Sequence, residues 1–319
     1  MYISKGNHTA ELSEDILTEG QFSIAEEDMH IIFSILRDKM YKDPIASICR
    51  EISCNSRDAN REIENELVPI EISIENVNAL TKNSDLSISF KDCGPGISPN
   101  RMKDIFLKYG ASTKRLTNTF TGGYGLGSKT PFAYTDSFSI ITIHNGIKYF
   151  YNAFIDESEK GKIILFDKTE SNECSGTEII IPLKNNSDRY QFENACLTYT
   201  NFWSIKPVFK NFNTFNTTPV IPIYTGKGFY YQKYRNSNII LLIDEIPYFI
   251  DNISTINLDK NLICNGLSII IPFENGELSL SANRETIHLN ESTIEKSART
   301  TGTKTNCAIR SPGFIVKCS

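Results

Sequence analysis

The chain has 319 residues, 40% of them hydrophobic, with 33 lysines and arginines against 38 aspartates and glutamates and a net charge of −5. That length and apolar content supply cores for two domains. The sequence has no apolar run of about eighteen residues and is polar and acidic from Met1 to Gly20, so it offers neither a transmembrane segment nor a signal peptide, and a cytoplasmic setting is expected.

Eight cysteines without a CxxC pair and four scattered histidines argue against a disulfide framework or a zinc centre. No lysine or arginine cluster stands out, so there is no strong nucleic-acid signal.

In chain order, residues 26–38 place Met29, Ile31, Ile32, Ile35 and Leu36 near one helical face. Asp43-Pro44 then reads as an N-cap with proline at the first helical position of a second helix. Ile70, Ile72 and Ile74 alternate, as do Leu86, Ile88 and Phe90, and strand-like runs follow near 137–143, 147–154, 162–167 and 177–182. Helices first and consecutive strands later predict an α/β sandwich with one sheet face covered. Turn chemistry and a weak helical pattern at 184–200 mark a boundary before strands near 219–231, 239–250 and 267–273. The expected division is 1–190, 191–290 and a poorly structured tail over 291–319, where no periodicity persists.

Four stretches carry chemistry. In "PIASICREISCNSRDA", Ile45, Ile48, Cys49 and Ile52 form an apolar stripe, and Glu51, Asn55 and Asp58 form a polar one at i, i+4, i+7, offset by roughly 60°. A polar stripe beside a buried face lines the edge of the core and looks into a cleft, whereas Arg50, Arg57 and Arg61 are expected farther round toward solvent. The alternative is a solvated face with i, i+4 contacts.

In "LSISFKDCGPGIS", Asp92 continues the inward series Leu86, Ile88, Phe90 and needs a partner, because a bare buried carboxylate is expensive. The Gly94-Pro-Gly96 turn lets the backbone approach a flat ligand, so Asp92 suits an exocyclic amine such as that of adenine; an Asx turn at a strand end is the alternative.

"GGYGLGSK" over 122–129 fits neither the P-loop, whose lysine would precede the serine, nor the dinucleotide fingerprint, which needs glycine at Ser128. It remains a glycine-rich lead into a helix whose N–H groups can hold an anion, with Lys129 and Lys114 adding charge, or else a surface loop. Finally, "SGTEIIIPL" puts the Thr177 hydroxyl on the same side as Ile179 and Ile181.

Taken together and in this order, the four stretches resemble the GHKL superfamily, the gyrase, heat-shock chaperone, histidine kinase and mismatch-repair ATPases that share the Bergerat fold. E-x-x-x-N-x-x-D-A (Glu51, Asn55, Asp58, Ala59) looks like the ATP-hydrolysing branch. A narrower similarity is to the rIIA-like lysis-inhibition proteins of bacteriophages, in residues 22–59, in "GGYGLGSKTPFAYTDSFSI" and in "GELSLSANRETIHL".

The resemblance implies an α+β chain, a Bergerat sandwich of a mixed, mainly antiparallel sheet covered by helices on one face, followed by a smaller transducer-like domain. It implies Glu51 as general base, Asn55 as the Mg²⁺ ligand, and Asp58 among the nucleotide-binding residues. Asp92 would read adenine N6 with Thr177, Gly94 and Gly96 would border the base, and Lys114, Gly122, Gly123, Gly125, Gly127 and Lys129 would wrap the triphosphate as a lid. "SANRE" nominates Arg284 as a γ-phosphate sensor, the alternative being a salt bridge to a neighbouring carboxylate.

The implied activity is a slow, Mg²⁺-dependent ATPase switch whose lid, roughly 108–128, closes on ATP and whose N-terminal segment mediates ATP-dependent homodimerisation. An unknown host or phage protein is the implied partner. A non-hydrolysing module that sequesters a partner protein is the competing reading, and a DNA-handling ATPase a third.

Overall fold

The computed structural model describes residues 29–76, 86–106, 127–214, 220–226, 228–234, 239–250, 266–281, 283–287, 308–311 and 314–317. Two helices lead: α1 (Met29–Asp38) and α2 (Pro44–Glu62). Asp43 caps α2 by accepting the Ala46 N–H at 3.0 Å, and Pro44 opens its first turn, as the Asp-Pro pair predicts.

Then come β1 (Glu71–Asn76) and β2 (Leu86–Lys91), a single helical turn α3 (Pro99–Arg101) that runs into a π-helical turn at Met102–Phe106, and a 3₁₀ helix at Gly127–Ala133. The meander β3 (Ser137–His144), β4 (Ile147–Ile155), β5 (Gly161–Glu170) and β6 (Gly176–Pro182) is followed by α4 (Asp188–Thr200) and β7 (Val208–Lys210).

These strands form one sheet in the order β5-β4-β3-β6-β2-β1-β7, antiparallel throughout except that β7 runs parallel to β1. The alternation read from the sequence sends Ile72, Ile74, Ile88, Phe90, Phe138, Ile140, Ile179 and Ile181 to the covered face, where they meet Ile48, Cys49 and Ile52 of α2 and Phe192 and Cys196 of α4. This is the α+β sandwich with a mainly antiparallel sheet that the sequence predicts.

α4 gave only a weak helical pattern because its buried side includes Glu193, Thr198 and Thr200. Glu193 is tolerated there because it pairs with Arg189 at 2.8 Å and accepts the N–H groups of Asn213 and Thr214, each at 3.0 Å. α1 differs from its expected face: Ile35 is 49% exposed, and Phe33 makes the burial instead, edge-on to Phe132, which stands edge-on to Phe138. The side chains of Met29, Ile31, Ile32 and Leu36 lie outside the described residues.

A second sheet holds β8 (Tyr224–Thr225), β9 (Tyr230–Gln232), β10 (Ile239–Ile243), β11 (Ile246–Ile250) and β12 (Ser268–Phe273) in the order β11-β10-β12-β9-β8. The expected run over 239–250 is a hairpin, turning at Asp244-Glu245 with both residues at positive φ, 49° and 64°. Within the stretch read as an irregular tail, β13 (Ala308–Ser311) pairs with β14 (Phe314–Lys317). Among the described residues no helix is long and apolar enough to cross a membrane.

Candidate functional site

α2 carries the site along one side. Glu51 is 5% exposed, Asp58 is wholly buried, and Asn55, one turn from Glu51, is half-buried. Above them sits the start of the 3₁₀ helix: a side chain at Gly127 would come within 2.7 Å of Glu51 Oε2 and 3.4 Å of Asn55 Nδ2. A side chain there would have to push the Glu51 carboxylate aside, so glycine leaves the two polar groups in place.

The helix expected after the glycine-rich lead is seven residues of 3₁₀ helix with Pro131 inside. Pro131 supplies no N–H, so the tighter coil takes the place of a regular i to i−4 ladder. Lys129 lies in this segment with its amine over the Phe106 ring, and burial pushes its pKa down to about 8. Lys114, Gly122, Gly123 and Gly125, with nearly all of the expected lid, lie outside the described residues.

At the other end, Asp92 is 6% exposed and its Oδ1 accepts two N–H groups, from Gly94 at 2.9 Å and from Thr177 at 3.0 Å. The first is the Asx turn foreseen as an alternative, and the second reaches across from β6. Asp92 and Thr177 are thus adjacent.

Gly94 and Gly96 serve packing. A side chain on Gly94 would lie 2.7 Å from Ala59 of α2, and one on Gly96, at φ +72°, would lie 2.1 Å from the Ile143 carbonyl. The turn is pressed between α2 and β3, which holds Asp92 against the helix that carries Glu51.

Three side chains that the sequence did not single out fix this turn. Asn60 accepts the Cys93 N–H at 2.8 Å and donates to the Val68 carbonyl at 2.9 Å; His144 Nδ1 lies 2.8 Å from the Pro95 carbonyl; Thr142 accepts the Ile97 N–H at 2.8 Å. Asn60 follows directly on the D-A pair, and that nearness was the only available signal.

The arginines of α2 correct a second expectation. Arg50 and Arg57 are buried, at 2% and 9%, because Tyr199 of α4, Trp203, the Asn283 loop and the β10–β11 turn cover the side of α2 expected to face water. Arg50 donates to Glu51 Oε1 at 3.0 Å and to the Asn283 carbonyl at 2.9 Å. Arg57 and Arg61 meet Asp244 at 2.7 Å, Arg57 also meets Glu245 at 3.2 Å, and its guanidinium lies 4.2 Å from the Trp203 ring centre. Asp58 lies 3.6 Å from Arg61.

Arg284, 5% exposed, donates to Glu51 Oε2 at 3.2 Å. The salt bridge foreseen as an alternative is therefore what the structure has, and its carboxylate is the candidate base itself. Burial works to lower the Arg284 pKa, but Glu51 and its neighbours raise it overall. Arg284 stands at φ +55°, a costly conformation for a side-chain-bearing residue.

The flanking residues hold it there: Asn283 Nδ2 donates to the Met40 carbonyl at 2.8 Å, and Glu285 accepts the Lys42 N–H and the Ser47 hydroxyl, each at 3.0 Å, at the start of α2. A carboxylate at a helix N-terminus also complements the helix dipole.

Chemically, α2, the Gly127 segment and the Arg284 loop bring together a carboxylate, an amide and two guanidiniums, with the Asp92–Thr177 acceptor–hydroxyl pair at the far end. Among the described residues no cluster of three His, Cys, Asp or Glu could hold a metal by itself. Asn55 fits Mg²⁺ that arrives with phosphates, since that ion keeps waters and takes few protein ligands.

Comparison with curated proteins found no match. Residues 45–180, which hold the whole of this site apart from Arg284 and its loop, match the family model for histidine kinase-, DNA gyrase B- and HSP90-like ATPases. Over that region the chain is similar to the ATPases of the GHKL superfamily.

Proposed function

We propose that the chain binds Mg·ATP between α2 and the Asp92 turn and hydrolyses it slowly as a conformational switch. The observation that carries this reading is the placement of Glu51 and Asn55 one turn apart on α2 and directly against Gly127. An adenine amine would be accepted by Asp92 beside Thr177, with Asp58, Gly94 and Gly96 shaping that end. Asn55 would hold Mg²⁺, and Gly122, Gly123, Gly125, Gly127, Lys114 and Lys129 would enclose the phosphates.

Bound Mg²⁺ would neutralise charge on the phosphate oxygens. Glu51 would orient a water and take its proton as the water oxygen bonds to the γ-phosphorus and the bond to the β-phosphate oxygen breaks, leaving ADP and phosphate. Arg284 would act as sensor by leaving Glu51 for the γ-phosphate. That exchange frees the base and recruits the cation in one step, so turnover is expected to be slow.

The five-stranded sheet with its 281–287 loop would transmit the change, as the transducer-like part of 191–290. ATP-dependent pairing of two copies, an rIIA-like phage origin and action on a host or lysis regulator belong to the same proposal.

One observation favours a second reading. Both Glu51 oxygens are taken by guanidiniums, which suits a module that binds nucleotide without hydrolysing it. Phosphate release from Mg·ATP, with fluorescent-nucleotide binding alongside, decides between the two. Wild-type turnover that disappears in Glu51→Gln while binding persists supports the switch. Binding without turnover in both supports the second reading, and no binding in either overturns both.

A further inference from the structure

Around the Arg50–Glu51–Arg284 cluster, two buried polar groups have no hydrogen-bond partner among the described residues: the Tyr248 hydroxyl and Arg284 Nε. Both residues are 5% exposed. Tyr248 stands on β11, opposite Leu241.

The two groups share one neighbourhood. Burial raises the Tyr248 pKa, the charges of Arg284, Arg50 and Glu51 act on its hydroxyl, and Tyr248 acts in return on both arginines. The β10–β11 hairpin that carries Tyr248 is pinned to α2 at its turn, where Asp244 meets Arg57 and Arg61, each at 2.7 Å.

Unmet groups of this kind are rare in a native interior, because a polar group taken from water without a new partner costs free energy. These two are complementary: Nε–H only donates, and the phenol oxygen can accept. Arg284 meanwhile spends its terminal Nη1 on Glu51 Oε2, at 3.2 Å. A phosphate takes a guanidinium through two parallel N–H bonds. When both come from the terminal nitrogens, Nε needs an acceptor of its own, and the Tyr248 oxygen lies in the same cluster.

We infer that Tyr248 is a positioning residue for the sensor arginine: its hydroxyl accepts the Arg284 Nε–H once the guanidinium has turned from Glu51 to the γ-phosphate, and so fixes the plane of the fork. Tyr248 thereby favours a triphosphate over a diphosphate without touching either. The inference rests on the nucleotide reading above and concerns the γ-phosphate end alone.

The test titrates wild type, Tyr248→Phe, Arg284→Met and the double variant with Mg·ATP and Mg·ADP, and melts each protein without nucleotide. Tyr248→Phe should bind ATP about tenfold more weakly, as expected on losing a hydrogen bond to a charged group, and ADP as wild type does. In the Arg284→Met background the same change should alter ATP affinity less than about twofold, because the donor is gone. Nucleotide-free Tyr248→Phe should melt no more than about 2 °C below wild type, since no bond is lost.

A purely structural role would weaken both nucleotides equally and lower the melting temperature. Equal loss for ATP and ADP, no loss for either, the same loss with and without Arg284, or a clear fall in melting temperature overturns the inference, while ATP binding by wild type leaves the nucleotide reading standing. Arg284→Met that binds ATP as wild type does overturns the sensor role and this inference with it. Wild type that binds no ATP overturns the nucleotide reading as well.

Discussion

Helix α2 meets the second half of the chain at the loop that carries Arg284 and at the β10–β11 turn, and the two contacts are built differently. Near its first turns, Arg50 and Arg284 share the Glu51 carboxylate, with all three side chains at most 6% exposed. Toward its end, Arg57 and Arg61 face Asp244 and Glu245, with side chains 11% to 35% exposed, and Asp58 adds a further carboxylate near Arg61.

The second contact sets three carboxylates against two guanidiniums and is partly wet, which suits a joint. The first is dry and places two guanidiniums on one carboxylate. Such a cluster has positive charge to spare for an anion, and its buried groups feel one another strongly. Both contacts stand on left-handed residues, Arg284 in one and Asp244 and Glu245 in the other, so in both the packing overrides a local backbone preference.

The sharpest way to break this contrast is Glu51→Gln. If the dry contact is catalytic, turnover should fall at least about 100-fold with nucleotide affinity nearly unchanged, as expected on losing a general base. Steady-state phosphate release beside equilibrium binding measures both. A loss below about tenfold would reduce Glu51 to an anchor for the arginines.

Arg284→Met comes next. It removes one of the two partners of Glu51 and should cost about 1–3 kcal/mol in denaturant unfolding. Arg284→Gly should cost about 1 kcal/mol less than Arg284→Met, because glycine accepts the left-handed backbone. Equal costs would place the strain elsewhere.

Asp244→Asn tests the joint. Asparagine tolerates the positive φ but removes the charge that Arg57 and Arg61 share, so a loss of about 1 kcal/mol is expected in a partly exposed site. Turnover should stay within about twofold. A large fall in turnover at unchanged stability would erase the distinction between the contacts.

The smallest effect is in pH. The Lys129 amine titrates near 8 in the fold, below its ordinary 10.5, so it is charged below that pH and neutral above it. ATP affinity should therefore weaken about two- to fivefold between pH 7 and 9, and Lys129→Gln should flatten the profile. Stability carries the opposite sign. Between about 8 and 10.5 the unfolded chain holds the proton that the fold has released, so this group's contribution to stability rises with pH across that window.

Much of the first sheet was legible because its strands alternate cleanly, as in Ile70, Ile72, Ile74 and Leu86, Ile88, Phe90, and because Asp43-Pro44 marks the start of α2 without ambiguity. The polar stripe of α2 could be read from spacing alone. Weaker signals came from elements whose burial depends on partners far along the chain. α4 buries an ion-paired glutamate, β7 is three residues long, and the Asp244-Glu245 turn lacks the glycine or asparagine that would announce it.

By itself the sequence determined which residue types line the site and at what intervals, since helical and strand periods follow from backbone geometry and apply before any tertiary contact forms. Only the tertiary structure decided what those residues face. Arg50 and Arg57 turned from solvent to buried because Tyr199, Trp203 and two loops from the second half of the chain pack on them, and Arg284 came to Glu51 from 233 positions away. Burial and long-range pairing depend on how layers stack, and no local interval encodes that.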